Sequence, residues 1–216
     1  FAQMGVTRLR DLILTLPHSG LRRRPIADLA EARPPEIVTV AITVLRHNPP
    51  GAKGRPWRVH CTDGASDLQI VFFHPRRDWI ETQLPIGGRR IVSGKIELFD
   101  GMAQMVHPDH IGAENAPPPA EFEPIYPLSG RLTQGVVQKA VAAAMTRLPE
   151  VAEWIDASVL AREGWPDWST ALSRAHAPRG AQDLSPTDPA RARLAYDELF
   201  AHQMTLALMR RDRRRQ

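Results

Sequence analysis

The stretch Phe72-Phe73-His74-Pro75-Arg76-Arg77 is the part of this chain best equipped for chemistry. Two aromatic residues close a run of alternating apolar residues, and two arginines follow closely. An aromatic ring at a strand exit beside paired guanidiniums suits nucleobase stacking with phosphates nearby. Such chemistry is binding rather than catalysis, worth about 1–3 kcal/mol per stacked base. Leu68, Ile70 and Phe72 share one face of the run, so Phe73 falls on the other with Gln69 and Val71. Two placements of the Phe73 ring fit this pattern: open to solvent and ready to stack, or packed under the next helix against Trp79 or Ile80. Arg76 and Arg77 open that helix, either as phosphate contacts aided by backbone N–H groups or as a solvated helix start. Arg55, Arg58 and Lys95 are further candidates for phosphate contact, each equally at home as a surface cation.

Catalytic constellations do not emerge from the sequence. No Gly-x-x-x-x-Gly-Lys-Ser/Thr phosphate loop occurs, and Gly87-Gly88-Arg89-Arg90 reads as a turn. Ser93, Ser129 and Thr133 lack a supporting base. His107, Asp109 and His110 sit close together, but without a cysteine partner or a spaced second pair zinc is not expected. His107 reads instead as the cap of a strand end. The expectation is a chain with no cofactor or metal of its own and no ATP hydrolysis.

The elements that must position Phe73 are short strands. Val38, Val40, Ile42 and Val44 alternate with Thr39, Ala41 and Thr43 in a strand that begins at Ile37. A flexible loop, residues 48–54, leads to a second strand over 55–62, with Trp57, Val59 and Cys61 opposite Arg58 and His60. Asp63-Gly64 is a hairpin signal, and the Phe73 strand follows. A helix over 76–84 separates it from a fourth strand, 89–98, with Val92, Gly94, Ile96 and Leu98 on one face. Gly94 reads as a bend that helps to close a small barrel. Asp100-Gly101 then turns into a fifth strand, 102–107. Five strands with a helix between the third and fourth define the OB-fold, a Greek-key barrel that binds oligonucleotides or oligosaccharides. Its barrel segment carries nine basic residues (Arg46, Lys53, Arg55, Arg58, Arg76, Arg77, Arg89, Arg90, Lys95) against six acidic ones (Asp63, Asp67, Asp78, Glu81, Glu97, Asp100).

Helical patterns flank the barrel. Leu9, Leu12, Ile13 and Leu16 predict an amphipathic helix over 7–16, with Thr7 as N-cap and Pro17 as stop. A shorter helix is predicted over 25–32, with Arg22–Arg24 as a solvated turn before it. Residues 111–124, containing Pro117-Pro118-Pro119, read as a linker, followed by helices over 133–148, 166–174 and 189–209. In the last, Asp188 caps and Pro189 opens the first turn, and Leu194, Leu199, Met204, Leu206 and Leu208 make a broad apolar surface with no C-cap. The domain reading is a helical segment over 1–36, the barrel over 37–110, and a linker with helices over 111–216; the chain reads as cut from something longer.

Bulk properties narrow the class. A 216-residue chain with 43% hydrophobic and 24% charged residues is ordinary for a globular protein. The net charge of +4 is no proof of a nucleic-acid surface, because Arg210–Gln216 alone carries that excess. Cys61 reads as a small buried apolar residue, compatible with a reducing cytoplasm. No membrane span or signal peptide is read, so a cytoplasmic location is expected.

Taken together, several segments resemble the N-terminal wedge region of RecG, a family of bacterial ATP-dependent helicases that remodel stalled replication forks. They are Thr7–Pro17, Asp63-Gly64 with Leu68–Phe73, Gly88–Lys95, Gln104–Pro108, Pro124–Leu128, Ala171-Leu172 before His176-Ala177-Pro178, and Ala192–Leu199. The resemblance implies an α+β fold, an OB-fold wedge with flanking N-terminal and C-terminal helices. It implies that the aromatic matching Phe73 stacks on a base at the branch point of forks or of three- and four-way junctions. The family usually has Asn where this chain has His74, and some members carry a second aromatic where this chain has Arg77. ATP and Mg belong to motor domains beyond Gln216, and roles in DNA repair and recombination come with the motor.

Three functions compete on this reading. The first is a branched-DNA-binding wedge, expected to be monomeric. The second is a protein-interaction module whose groove takes an acidic peptide tail, such as that of single-strand-binding protein. The third is an RNA- or oligosaccharide-binding barrel, which leaves the helical flanks unexplained.

Overall fold

The computed structural model describes residues 1–52 and 54–213. Lys53 and Arg214–Gln216, counted above among the basic residues and the chain end, lie outside the described residues. In chain order the elements are α1 (Leu9–Ile13), β1 (Ser19–Arg22), β2 (Arg24–Pro25), β3 (Glu36–Asn48), β4 (Trp57–Thr62), β5 (Asp67–Phe72) and α2 (Arg77–Gln83). They continue as β6 (Arg89–Phe99), β7 (Met102–Val106), β8 (His110–Ala113), β9 (Phe122–Ile125), α3 (Gln134–Met145), α4 (Ala157–Glu163), α5 (Trp168–His176) and α6 (Pro189–Arg213). The chain divides into two compact units, Arg22–Glu121 and a second built from Phe1–Leu21 together with the residues from Phe122 onward.

The first unit is the OB barrel. Its neighbours run β3-β4-β5-β7-β6, and β3 also pairs with β6, so five strands close on themselves. All pairings around the ring are antiparallel except β5 with β7, which is parallel. Alternation produces the core: Val38, Val40, Ile42, Val44, Trp57, Val59, Cys61, Leu68, Ile70 and Ile96 are buried in one cluster with Ile80 and Leu84 of the helical cap. Each fully buried aliphatic side chain there contributes about 1.5–3 kcal/mol. The Cys61 thiol is among them, and burial pushes its pKa up to about 12. Gly94 lies where β6 meets its partners: a Cβ there would sit 3.0 Å from both the Met105 sulfur and the Pro108 Cα.

The unit is wider than the 37–110 expected. Arg22–Arg24 is no solvated turn, because β2 adds in parallel to β3 and Arg23 is buried. The Arg23 guanidinium donates to Ser93 Oγ at 3.2 Å and to Asp109 at 3.0 Å, and Thr39 Oγ donates to Ser93 Oγ at 2.9 Å. A buried guanidinium needs such partners, and they tie the segment before the barrel to β6 and to the residues after β7. On the other side, part of the expected linker is β8, antiparallel to β6 from Arg90↔Ala113 to Ser93↔His110. Leu98 also departs from expectation. It follows the inward face of β6 but lies past the barrel rim, where it is exposed. The helix expected over 25–32 shrinks to a single 3-10 turn, Leu29–Glu31. Asp28 accepts from the N–H groups of Ala30 and Glu31, and Asp63 accepts from that of Leu29.

The second unit is mainly helical. α1 is shorter than expected: Asp11 accepts from the backbone N–H groups of Thr7 and Arg8, and Thr15 Oγ bonds back to the Asp11 carbonyl. β1 pairs with β9, the second strand inside the expected linker. α4 was not legible from periodicity, yet Asp156 caps it and Gly164, with φ 67°, ends it. Asp188 caps α6 as expected, accepting from Ala190 and Arg191. His176 is buried, with Tyr126 Oη 3.0 Å from its Nδ1 and the Ile13 carbonyl 2.8 Å from its Nε2. No helix among the described residues is long and apolar enough to cross a membrane.

Gly94→Ala should lower stability by about 1–3 kcal/mol, because the backbone at Pro108 cannot yield as a side chain would. Urea denaturation checks this, with Gly51→Ala as the control, since a Cβ at Gly51 meets nothing.

Candidate nucleic-acid interface

The end of β5 is held by the end of β7. The His107 N–H donates to the Val71 carbonyl at 2.9 Å, and the Phe73 N–H donates to His107 Nε2 at 3.0 Å. His107 reaches this position in the left-handed region, φ 46°, and His74 turns the chain away from β5 with φ 52°. The two aromatics that looked alike in sequence therefore separate. Phe72 is buried, edge-on to Trp79 at 5.6 Å and to His107 at 5.7 Å. The place under the helix is taken by Phe72. Phe73 is 48% exposed, its ring 5.8 Å from that of His107.

The outer face of the sheet continues from this ring in cross-strand rows. Asn48, Arg58 and Val71 lie in register, with Val106 next. A second row runs Arg46, His60, Gln69, Gln104 and Glu97. The Gln104 amide donates to Gln69 at 3.1 Å, and Asn48 Nδ2 lies 3.1 Å from His60 Nε2. Burial first, then the nearby Arg46 and Arg58 guanidiniums, hold the His60 imidazole below its ordinary value against an opposing pull from Asp67.

The structure brings some of the expected residues together and separates others. Arg58 lies on β4 across from Val71, Arg55 is in the loop before β4, and Arg76 immediately precedes α2. Among the described residues none of these three has an ion-pair partner. Arg77 bonds Glu81 at 2.9 Å, and Lys95 pairs with Glu97. Both pairs are exposed, hence worth about 0–1 kcal/mol, so either cation can be released to another anion. Lys95, opposite Ile37 on β3, meets the face only at its edge, through Glu97 at the end of the second row. α2 has only seven residues and Asp78 in its first turn, which removes the helix-terminus support expected for Arg76 and Arg77. Sequence reasoning counted Arg46 only among the basic residues of the barrel, and it read His107 as the cap of a strand end, which it is, without naming Phe73 as the residue held. Arg46 is placed by a β-bulge between Val44 and Arg46; His107 acts on a residue 34 positions away. No local signal announces the bulge or the residue that His107 holds. No group of three or more metal-binding side chains occurs among the described residues.

The face is built of an exposed ring, unpaired guanidiniums and amides. It can stack and hydrogen-bond; among the described residues it holds no nucleophile–base pair. No protein-family model matches the chain. The chain is 28% identical over 211 residues to the ATP-dependent DNA helicase RecG of Acidithiobacillus ferridurans, covering 96% of this chain and 30% of that protein. It is 25% identical over 218 residues to the RecG of Escherichia coli (strain K12), covering 97% and 31% respectively. The chain thus spans about three tenths of the length of the curated relatives it matches. A solved structure of RecG bound to a three-way DNA junction has the same fold, with a TM-score of 0.72 over 98% of this chain and 29% of that one, at 22% identity. Along nearly its whole length, then, the chain resembles RecG, consistent with the N-terminal wedge region of that family.

Two outcomes check the geometry. His107→Asn keeps a residue tolerant of the left-handed region but shortens the acceptor, and the Phe73 amide should exchange about five to ten times faster with solvent deuterium. Arg46→Gln should raise the His60 pKa toward the ordinary 6.5, read from imidazole NMR shifts during a pH titration.

Proposed function

We propose that this chain is the branched-DNA-binding wedge of a RecG-like ATP-dependent helicase. The observation that carries the reading is the exposed Phe73 ring at the rim of a closed barrel, beside unpaired guanidiniums. The RecG likeness supports branched DNA as the ligand class, since a RecG relative was solved bound to a three-way DNA junction. In this reading Phe73 stacks on the base exposed where the duplex divides, and Arg55, Arg58, Arg76 and, after release of Glu81, Arg77 hold phosphates. The chain acts as a monomer in the cytoplasm, on stalled forks and junctions during repair and recombination.

Energetics divide the labour. Opening one stacking step costs about 1.4 kcal/mol, and one base–aromatic stack returns about 1–3 kcal/mol. A single ring can hold the first separated pair open but cannot drive separation onward. Continued unwinding needs an ATPase, and this chain contributes the fixed obstacle against which such a motor would draw the DNA.

In a binding series at two salt concentrations, forks and three-way junctions should bind more tightly than linear duplex. Phe73→Ala should lower the fork-to-duplex ratio roughly tenfold, with a log-log salt slope close to that of the unmodified chain, because the phosphate contacts remain. An unchanged ratio refutes the stacking role. A peptide with the sequence of the acidic tail of single-strand-binding protein, added in competition, shows whether a protein ligand uses the same face.

A further inference from the structure

The helical unit carries a groove that the nucleic-acid reading leaves unused. Its floor is α6, and its walls come from α5, the end of α1 and the segment before α4. It encloses about 680 Å³ and is lined by Leu14, Trp154, Trp168, Leu172, Leu194 and Phe200, among others. All of these belong to one compact unit. The walls are held by an ion-pair cluster. Arg193 is fully buried; it bonds Glu153 at 2.7 Å and also Asp197, and its guanidinium lies 5.0 Å over the Trp154 ring. Trp154 Nε1 donates to Asp197 at 2.8 Å, and the Trp168 N–H donates to Glu153 at 3.2 Å. Both indoles are thereby fixed to α6 before any ligand arrives. At the rim Leu14, Trp154, Leu199 and Phe200 remain exposed, so the apolar surface runs on beyond the cavity.

Asp197 in the lining is engaged by Arg193, but two other charges there are not matched. Arg191 donates from Nε to the Asp183 carbonyl at 3.0 Å and from Nη2 to the Pro17 carbonyl at 2.5 Å. Both acceptors are neutral, and further N–H groups of the fork are left for a ligand. Among the described residues no carboxylate lies within ion-pair distance of Arg191, and Glu198 has no ion-pair or hydrogen-bond partner. A half-buried guanidinium without a counterion is costly, and an arriving carboxylate relieves that cost. On α6, Arg191, Leu194, Ala195 and Glu198 stand at i, i+3, i+4 and i+7, one stripe of the helix. Charges of opposite sign therefore sit about 10 Å apart with apolar surface between them.

We infer that this groove docks an amphipathic helix of a protein partner. An acidic residue of that helix meets Arg191, a basic residue seven positions away meets Glu198, and apolar residues between them lie against Trp154 and Trp168. Charge complementarity selects the flanking residues, and the i, i+3, i+4, i+7 spacing of the floor is matched by the same spacing on a helix laid along it. An extended peptide fits less well, because its backbone N–H and C=O groups would face indole and leucine surface without partners, whereas a helix satisfies its own. The exposed apolar rim also exceeds what one enclosed small molecule would cover. The inference concerns the helical unit and goes beyond the nucleic-acid reading of Phe73.

The probes are fluorescein-labelled, alanine-based helical peptides of about fifteen residues, with leucine at i+3 and i+4. They differ only at i and i+7, which carry Lys and Glu, Glu and Lys, Lys twice, or Glu twice. With the whole chain at physiological salt, the tighter of the two mixed-charge peptides should bind roughly tenfold more strongly than either like-charge peptide. Glu198→Lys changes an exposed, unpaired position and keeps the fold; it should make the peptide with two glutamates the tightest. No saturable binding, equal affinities for all the peptides, or an order unchanged by Glu198→Lys overturns the inference. Self-association of the chain in sedimentation that Glu198→Lys abolishes would assign the groove to a second copy and overturn it too. Phe73→Ala should leave peptide binding unchanged; a loss there would move the peptide site to the barrel and overturn the groove assignment. The fork-to-duplex ratio tests the proposed function separately, so failure of one is distinguishable from failure of the other.

Discussion

The parallel pairing of β5 with β7 is the constraint on which the rest of this interface depends. It completes the ring of strands, and it sets the ends of β5 and β7 side by side. There the His107 N–H reaches Val71 while its ring accepts from Phe73. Without that pairing Phe73 is a loop residue of undetermined direction. With it, Phe72 is committed to the interior and Phe73 to solvent.

Electrostatics play a smaller role than residue counts suggest. Basic residues outnumber acidic ones in the barrel, yet Arg23, Arg24, Arg77, Arg89 and Lys95 are engaged by carboxylates. What remains near Phe73 is a short set of guanidiniums without an ion-pair partner among the described residues. A face of that kind attracts phosphates without demanding a long stretch of duplex. It fits a contact made at a junction better than a groove that tracks a helix.

Much of the barrel was legible in the sequence because its strands alternate cleanly and its turns, Asp63-Gly64 and Asp100-Gly101, carry their own signals. Phe73 was legible as a candidate, but its direction was not: alternation put it opposite Phe72 without saying whether a helix covered it. The long-range contacts could not be read locally. Arg22–Arg24 resembled a charged turn, and only the fold places Ser93 and Asp109 around Arg23. β8 and β9 were hidden in a proline-rich stretch whose composition suggested a linker. α4 was short, and its caps rather than its periodicity define it. Leu98 looked like core because alternation continues past the point where the barrel stops.

The most direct test of the central claim is a photo-crosslink from a fork carrying 5-iodouracil at the branch point, mapped by mass spectrometry. The adduct should fall on Phe73. Adducts confined to residues outside the barrel, or none above the level given by linear duplex, would contradict the account.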